Sequence, residues 1–161
     1  MKKLITTLCI IHDHPRILLG MKKRRFGAGR WNGFGGKVME GESIEDSLLR
    51  ELKEEVGLEP VKMEKQGVID FELQDGSGTI EVNIFRITEF KGDPIDTEEM
   101  SPKWFHIDEI PFPQMWPTDV YWMPLLLKGR KFKGKIALDK PSDAEYTSRV
   151  LSKELMEVEN L

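Results

Sequence analysis

The sequence predicts an α/β sandwich, and three observations carry that expectation. Two short apolar runs near the start read as paired strands, an alternating segment further on reads as another, and between them lies a helix whose ends are marked in the chain. Leu4 to Ile11 and Arg16 to Lys22 have strand length and are separated by His12-Asp13-His14-Pro15, a run of turn formers, so an opening hairpin or neighbouring strands follow. Ser43 has the short hydroxyl side chain that caps a helix start. Glu45 and Asp46 put negative charge in the first turn, where the helix dipole favours it, and Gly57 provides the stop. Gly67 to Leu73 is strand-like and leads through Gln74-Asp75-Gly76-Ser77-Gly78 into Thr79 to Ile87, where Ile80, Val82 and Ile84 alternate with other residues; together they predict a hairpin. A second helix is expected after Pro117, carrying Tyr121, Trp122, Leu125 and Leu126, with Pro124 near its start or at a break. The tail from Glu145 to Val158 fits strand and helix equally.

No repeat, linker or low-complexity stretch divides the chain, and 161 residues at 39% hydrophobic suit one core rather than two, so residues 1–161 are read as a single domain. A formal charge of -4 disfavours non-specific attraction to a nucleic-acid backbone or an anionic membrane; a phosphate-bearing ligand would need locally arranged positive charge. Lys128, Arg130, Lys131, Lys133 and Lys135 do cluster, but such a group is more often a solvated strand face than an RNA contact. No stable nucleic-acid complex is expected. The lone Cys9 lies in an apolar run and reads as a core residue of a reducing compartment. Lys2-Lys3 before that run imitates a leader, yet no small-residue cleavage site follows, and no apolar run reaches the ~20 residues that span a bilayer. A cytoplasmic monomer is the expectation.

The chemistry concentrates between Gly36 and Leu58, where Glu42, Arg50, Glu51, Glu54, Glu55 and Gly57 stand at fixed offsets around the marked helix. Glu51, Glu54 and Glu55 are at i, i+3 and i+4, so one helix face presents three carboxylates within reach of a common ion. Three glutamates are ordinarily a solvated face. At about 100° per residue, however, Glu55 falls between Ile44 and Leu48, inside the apolar stripe that continues through Leu52 and Val56. A carboxylate there is costly unless paired or metal-bound. Hard oxygen ligands suit Mg²⁺, with Mn²⁺ as substitute, and such ions bridge to substrate phosphates. Arg50 can hold a carboxylate in place, and Gly27, Gly29, Gly33, Gly35 and Gly36 let backbone approach a ligand. His12, His14 and His106 have no persuasive ligand spacing.

Gly36-x5-Glu42-x7-Arg50-Glu51-Leu52-x-Glu54-Glu55-x-Gly57-Leu58 resembles the signature box of the Nudix hydrolases at every specified position. The resemblance implies an α/β/α sandwich with a mixed sheet and the box folded as loop-helix-loop. It also implies a divalent ion held by Glu51, Glu54 and Glu55 with Gly36, and Glu55, Glu51, Glu54 and Arg50 as the catalytic group. Glu99, outside the box, is a further candidate for metal coordination. Gly20 to Arg24, Phe26 to Val38, Trp104-Phe105, Met115-Trp116-Pro117 and Tyr121-Trp122 look like the oxidised-purine triphosphatases of that family, over most of the chain from about Leu4 to Phe132.

That similarity implies hydrolysis of 8-oxo-dGTP to the monophosphate and pyrophosphate, which sanitises the nucleotide pool. It places Thr7, Phe26, Asn32, Phe71, Trp116, Asp119 and Trp122 around the base, with Lys22 nearby. Aromatic rings enclose a purine by stacking, and Asn32 and Asp119 offer hydrogen bonds to its polar edge. One departure bears on specificity. Where the family has two adjacent acids after Trp-Pro, this chain has Thr118 and then Asp119, and a hydroxyl cannot take the anionic role. Ile80 stands where a flexible Met is common. The alternatives are a Nudix hydrolase of another modified nucleotide and a non-catalytic module that senses a nucleotide or RNA; the intact Arg50, Glu51, Glu54 and Glu55 argue against the module.

Overall fold

The computed structural model describes residues 3–24, 28–140 and 148–161. In chain order the elements are β1 (Lys3–Asp13), β2 (Arg16–Lys22), β3 (Trp31–Asn32), α1 (Ile44–Val56), β4 (Glu59–Leu73), β5 (Gly78–Lys91), β6 (Met100–His106), α2 (Asp119–Leu127), β7 (Lys131–Leu138) and β8 (Val150–Val158). Among the described residues the strands form one sheet in the order β3-β2-β1-β5-β4-β7-β8, with β6 also paired to β2. The pairings β1·β5 and β4·β7 are parallel and the others antiparallel, so the sheet is mixed as expected.

Alternation along the strands builds two cores. On β1, Cys9 and Ile11 face one way and join Leu18, Phe34, Phe85 and Ile87 beneath Leu48, Leu52 and Val56 of α1. Ile10 faces the other way and joins Ile17, Ile69, Ile84, Phe132 and Ile136 against Trp122, Met123 and Leu126 of α2. One helix therefore covers each face of the sheet, which is the predicted α/β/α arrangement. The limits of α1 follow the sequence signals. Ser43 Oγ accepts from the Asp46 N–H at 3.1 Å, and Gly57 takes φ 74°, where a side chain is disfavoured, while its N–H donates to the Lys53 carbonyl.

Elsewhere the structure corrects the sequence reading. β4 begins at Glu59 rather than near Gly67; its first half is mostly polar and passes through register shifts between Pro60 and Gly67, so it shows no clean alternation. Pro124 lies inside α2, neither near its start nor at a break. It removes one backbone donor, and the buried Trp122, Met123 and Leu126 hold the helix by packing instead. The tail resolves to a strand, β8; Glu145, Tyr146 and Thr147 lie outside the described residues.

Candidate active site

Glu55 occupies the apolar stripe of α1 as the helical wheel requires, 4% exposed, with Oε1 accepting from the Gly35 N–H at 2.8 Å. Burial pushes its pKa up to about 8, and the charges of Glu51 and Glu99 add to that, against the Gly35 N–H and Lys22. Glu51 is also raised, chiefly by burial, while Arg50 opposes.

Arg50 is the clamp of this end. Its Nε and Nη2 grip both oxygens of Glu42 at 2.7 and 3.0 Å, and its Nη1 donates to Glu51 at 2.9 Å and to Glu54 at 3.4 Å. That grip, with the Met39 N–H, holds the Glu42 carboxyl down at about 2. Arg50 thus ties the loop before α1 to the helix, a positioning place rather than one facing the cleft. Gly36 passes so close that a β-carbon would lie 2.7 Å from the Glu51 carboxyl carbon, and its carbonyl accepts from the Thr7 N–H at 2.8 Å.

The donor set is hard oxygen throughout, with a buried carboxylate aimed at the glycine loop, and so it fits a divalent cation. The three glutamates do not, however, stand as a preformed cage. Among the described residues no three acidic, imidazole or thiol side chains stand together as an ion cage: Arg50 Nη1 holds Glu51 and Glu54, while Glu55 Oε1 is bound to the Gly35 N–H. Glu99 is paired with Arg24 at 2.8 Å, and its charge still bears on Glu55.

From Glu55 and Gly36 a cleft of about 910 Å³ runs over the sheet to the start of α2. Thr7, Lys22, Asn32, Phe71, Trp116, Thr118, Asp119 and Trp122 all line it, as does Ile80. Phe26 lies outside the described residues. Trp122 serves two purposes: it is 1% exposed and stacks on Phe132 at 6.1 Å, and it also forms part of the cleft wall. Asp119 opens α2, buried, and burial pushes its pKa up to about 7 against a hydrogen bond with Trp122 and the charge of Arg30. Thr118 Oγ1 is buried without a hydrogen-bond partner.

Leu8 and Met100 are among the further lining residues that were not foreseen. Arg30 was passed over as well. It is 1% exposed, its Nη1 donates to the Met115 carbonyl, and its charge reaches Asp119. The available signal was a single cationic residue between Gly29 and Trp31, in a stretch from Phe26 to Gly36 rich in glycines and aromatics.

The NUDIX domain profile matches residues 2–126. A mouse protein described as oxidized purine nucleoside triphosphate hydrolase is 53% identical over 128 residues, which cover 80% of this chain and 82% of that one. A zebrafish protein of the same description is 49% identical over 130 residues, covering 81% and 83%. Among solved structures, the MutT protein from Bacillus halodurans superposes with a TM-score of 0.80 at 27% identity, covering 94% of this chain and 97% of that one.

Proposed function

The chain belongs to the Nudix family, and on that premise we propose that it hydrolyses oxidised purine nucleoside triphosphates, 8-oxo-dGTP foremost, to the monophosphate and pyrophosphate. The supporting observation is one continuous cleft with aromatic and polar side chains at one end and Glu55 and Gly36 at the other. The rings of Phe71, Trp116 and Trp122 offer surfaces on which a purine stacks. Asn32, Thr118 and Asp119 address its polar edge, and Lys22, whose charge reaches Glu51 and Glu55, meets the anionic end of the ligand.

A bound divalent cation, which we take to be Mg²⁺, supplies charge neutralisation of the phosphates and acidifies water. Glu51, Glu54 and Glu55, with the Gly36 carbonyl, are the groups assigned to hold it. Glu55 is also assigned the proton of the attacking water: Oε1 is fixed by the Gly35 N–H, which leaves Oε2 for that role. Arg50 keeps the carboxylates in register.

A cytoplasmic monomer of one domain is our reading of the whole chain, supported by the buried free thiol of Cys9. Among the described residues no helix is long and apolar enough to cross a membrane.

The test is a panel of 8-oxo-dGTP, an oxidised dATP and the unmodified nucleotides with Mg²⁺, with pyrophosphate and phosphate measured separately and ¹⁸O-labelled water locating the cut. We expect a preference for 8-oxo-dGTP and pyrophosphate as the first product. Equal rates on dGTP, or orthophosphate released first, would contradict the assignment.

A further inference from the structure

Three parts of the base end converge on one buried residue. The Arg30 carbonyl accepts from Asn32 Nδ2 at 2.9 Å, which leaves Asn32 Oδ1 as an acceptor for the cleft. The Arg30 guanidinium donates to the Met115 carbonyl and so anchors the turn that delivers Trp116, Thr118 and Asp119. Its charge is also the one that bears on Asp119 among the described residues; Trp122 contributes a hydrogen bond, and the neighbouring Thr118 only a neutral hydroxyl.

We propose that Arg30 is a positioning residue for base recognition: from beneath the cleft it holds Asp119 and Asn32 as acceptors and the Thr118 turn in place. The site is thereby set for a purine edge that presents adjacent N–H donors, as an oxidised guanine does. This rests on the reading of the cleft as an oxidised-purine site.

A guanidinium that is 1% exposed is little screened by water, so its charge acts strongly on the groups around it. Asp119 is one of the groups that charge reaches. Held ionised, it accepts from both the ring N–H and the amino group of an oxidised guanine. Once protonated, it presents a donor to the same groups and opposes them. Thr118 lines the cleft, and its buried Oγ1, without a hydrogen-bond partner among the described residues, has a donor to offer the base carbonyl.

The experiment follows Asp119 in the ligand-free protein by carboxyl ¹³C NMR, assigned with Asp119→Asn, in the wild type, Arg30→Lys and Arg30→Met, beside pH profiles of kcat/KM for 8-oxo-dGTP. Removing the charge in Arg30→Met is expected to raise the Asp119 midpoint by about one pH unit or more. At pH 7 it should lower kcat/KM roughly tenfold, mainly through KM, and the activity should recover as pH is raised. Arg30→Lys, which keeps the charge without the fork, should recover most of both. Should Arg30→Met fail to fold, the wild-type guanidinium ¹⁵N resonances decide: they should move through the Asp119 midpoint and stay still in Asp119→Asn. An unchanged midpoint in Arg30→Met, a pH-independent loss of activity, or guanidinium signals that are flat through the titration would overturn the proposal. A wild type that leaves 8-oxo-dGTP intact would instead sink the function proposed above, while the ligand-free titrations still judge Arg30.

Discussion

Asp119 and Glu55 are carboxyls at opposite ends of one cleft, and both bind a proton more tightly in the folded chain than an exposed acid does. The sign of the resulting pH effect follows from that. A raised folded pKa means that the native state holds more protons than the unfolded chain between the two values. Their contribution to stability is therefore fullest below the ordinary carboxylate range, and it declines as pH rises towards about 7 for Asp119 and about 8 for Glu55. In metal-free buffer, melting temperature should fall from pH 5 to pH 8, and Glu55→Gln should flatten that decline while abolishing most turnover. A Glu55→Gln variant with near-normal turnover would remove Glu55 from its assigned role. Asp119 gives the functional counterpart: acceptance from an oxidised guanine needs the anion, so kcat/KM for 8-oxo-dGTP should drop as pH falls through about 7. Losing one charged hydrogen bond costs about 1.5–3 kcal/mol, so Asp119→Asn should reduce kcat/KM at pH 8 by roughly tenfold or more. Thr118→Asp should add activity on an oxidised adenine nucleotide, because two adjacent carboxyls exchange a proton and present either pattern; an unchanged preference in steady-state assays of both substrates would reject that assignment.

The helix that carries the acids was legible because its ends use residue types with narrow conformational roles. Ser43 caps, Gly57 turns left-handed, and the stripe from Ile44 to Val56 has one charged intruder, Glu55, whose burial the wheel anticipated. The rest was obscured for identifiable reasons. The first half of β4 lies in the polar edge of the sheet and has no alternation to read. β6 holds Pro102, an ordinary sign against a strand, yet it is tolerated where β6 pairs on one side with β2. Met100 reaches the cleft, and Arg30 the Met115 turn beside it, only through tertiary folding, since nothing in their local sequence separates them from loop and strand neighbours. How the side chains of Glu51, Glu54 and Glu55 are turned is likewise not legible from helix geometry alone, because the grip of Arg50 on Glu51 and Glu54 is a side-chain matter. Two predictions belong at this scale. Ser43→Ala should cost about 1 kcal/mol in urea unfolding and leave kcat close to normal, since the cap stabilises α1 without touching the cleft. Arg50→Lys should do the reverse. A lysine cannot make the two-pronged grip on Glu42 while also reaching Glu51, so turnover should fall by more than tenfold while the melting temperature moves little. Equal effects on both quantities would mean that Arg50 is only a structural tie.

The molecule as a whole extends its sheet beyond the stretch that matches the family profile, and the extension reaches back to the ligand cleft. β7 lies past residue 126 and contributes Phe132, fully buried, whose ring stacks on Trp122 across 6.1 Å and fits only because its parallel partner Gly67 has no side chain; a β-carbon there would overlap the ring. The basic side chains of the same region are partly engaged, Arg130 with Glu157 and Lys131 with Glu64, which favours a solvated face over a nucleic-acid surface. Trp122 is therefore held on one side by β7 and forms part of the cleft wall on the other. Phe132→Ala should lower stability by roughly 3–5 kcal/mol through the cavity it leaves. Because the acidic helix packs on the opposite face of the sheet through Leu48 and Leu52, the chemical step should be spared while the base wall loosens. The expected kinetic signature is a several-fold rise in KM for 8-oxo-dGTP with kcat within about twofold, measured below the variant's unfolding temperature, and Phe132→Leu should restore much of both stability and KM. If kcat fell as far as KM rose, the two faces would be coupled through the sheet. Trp122 would then act on more than the base.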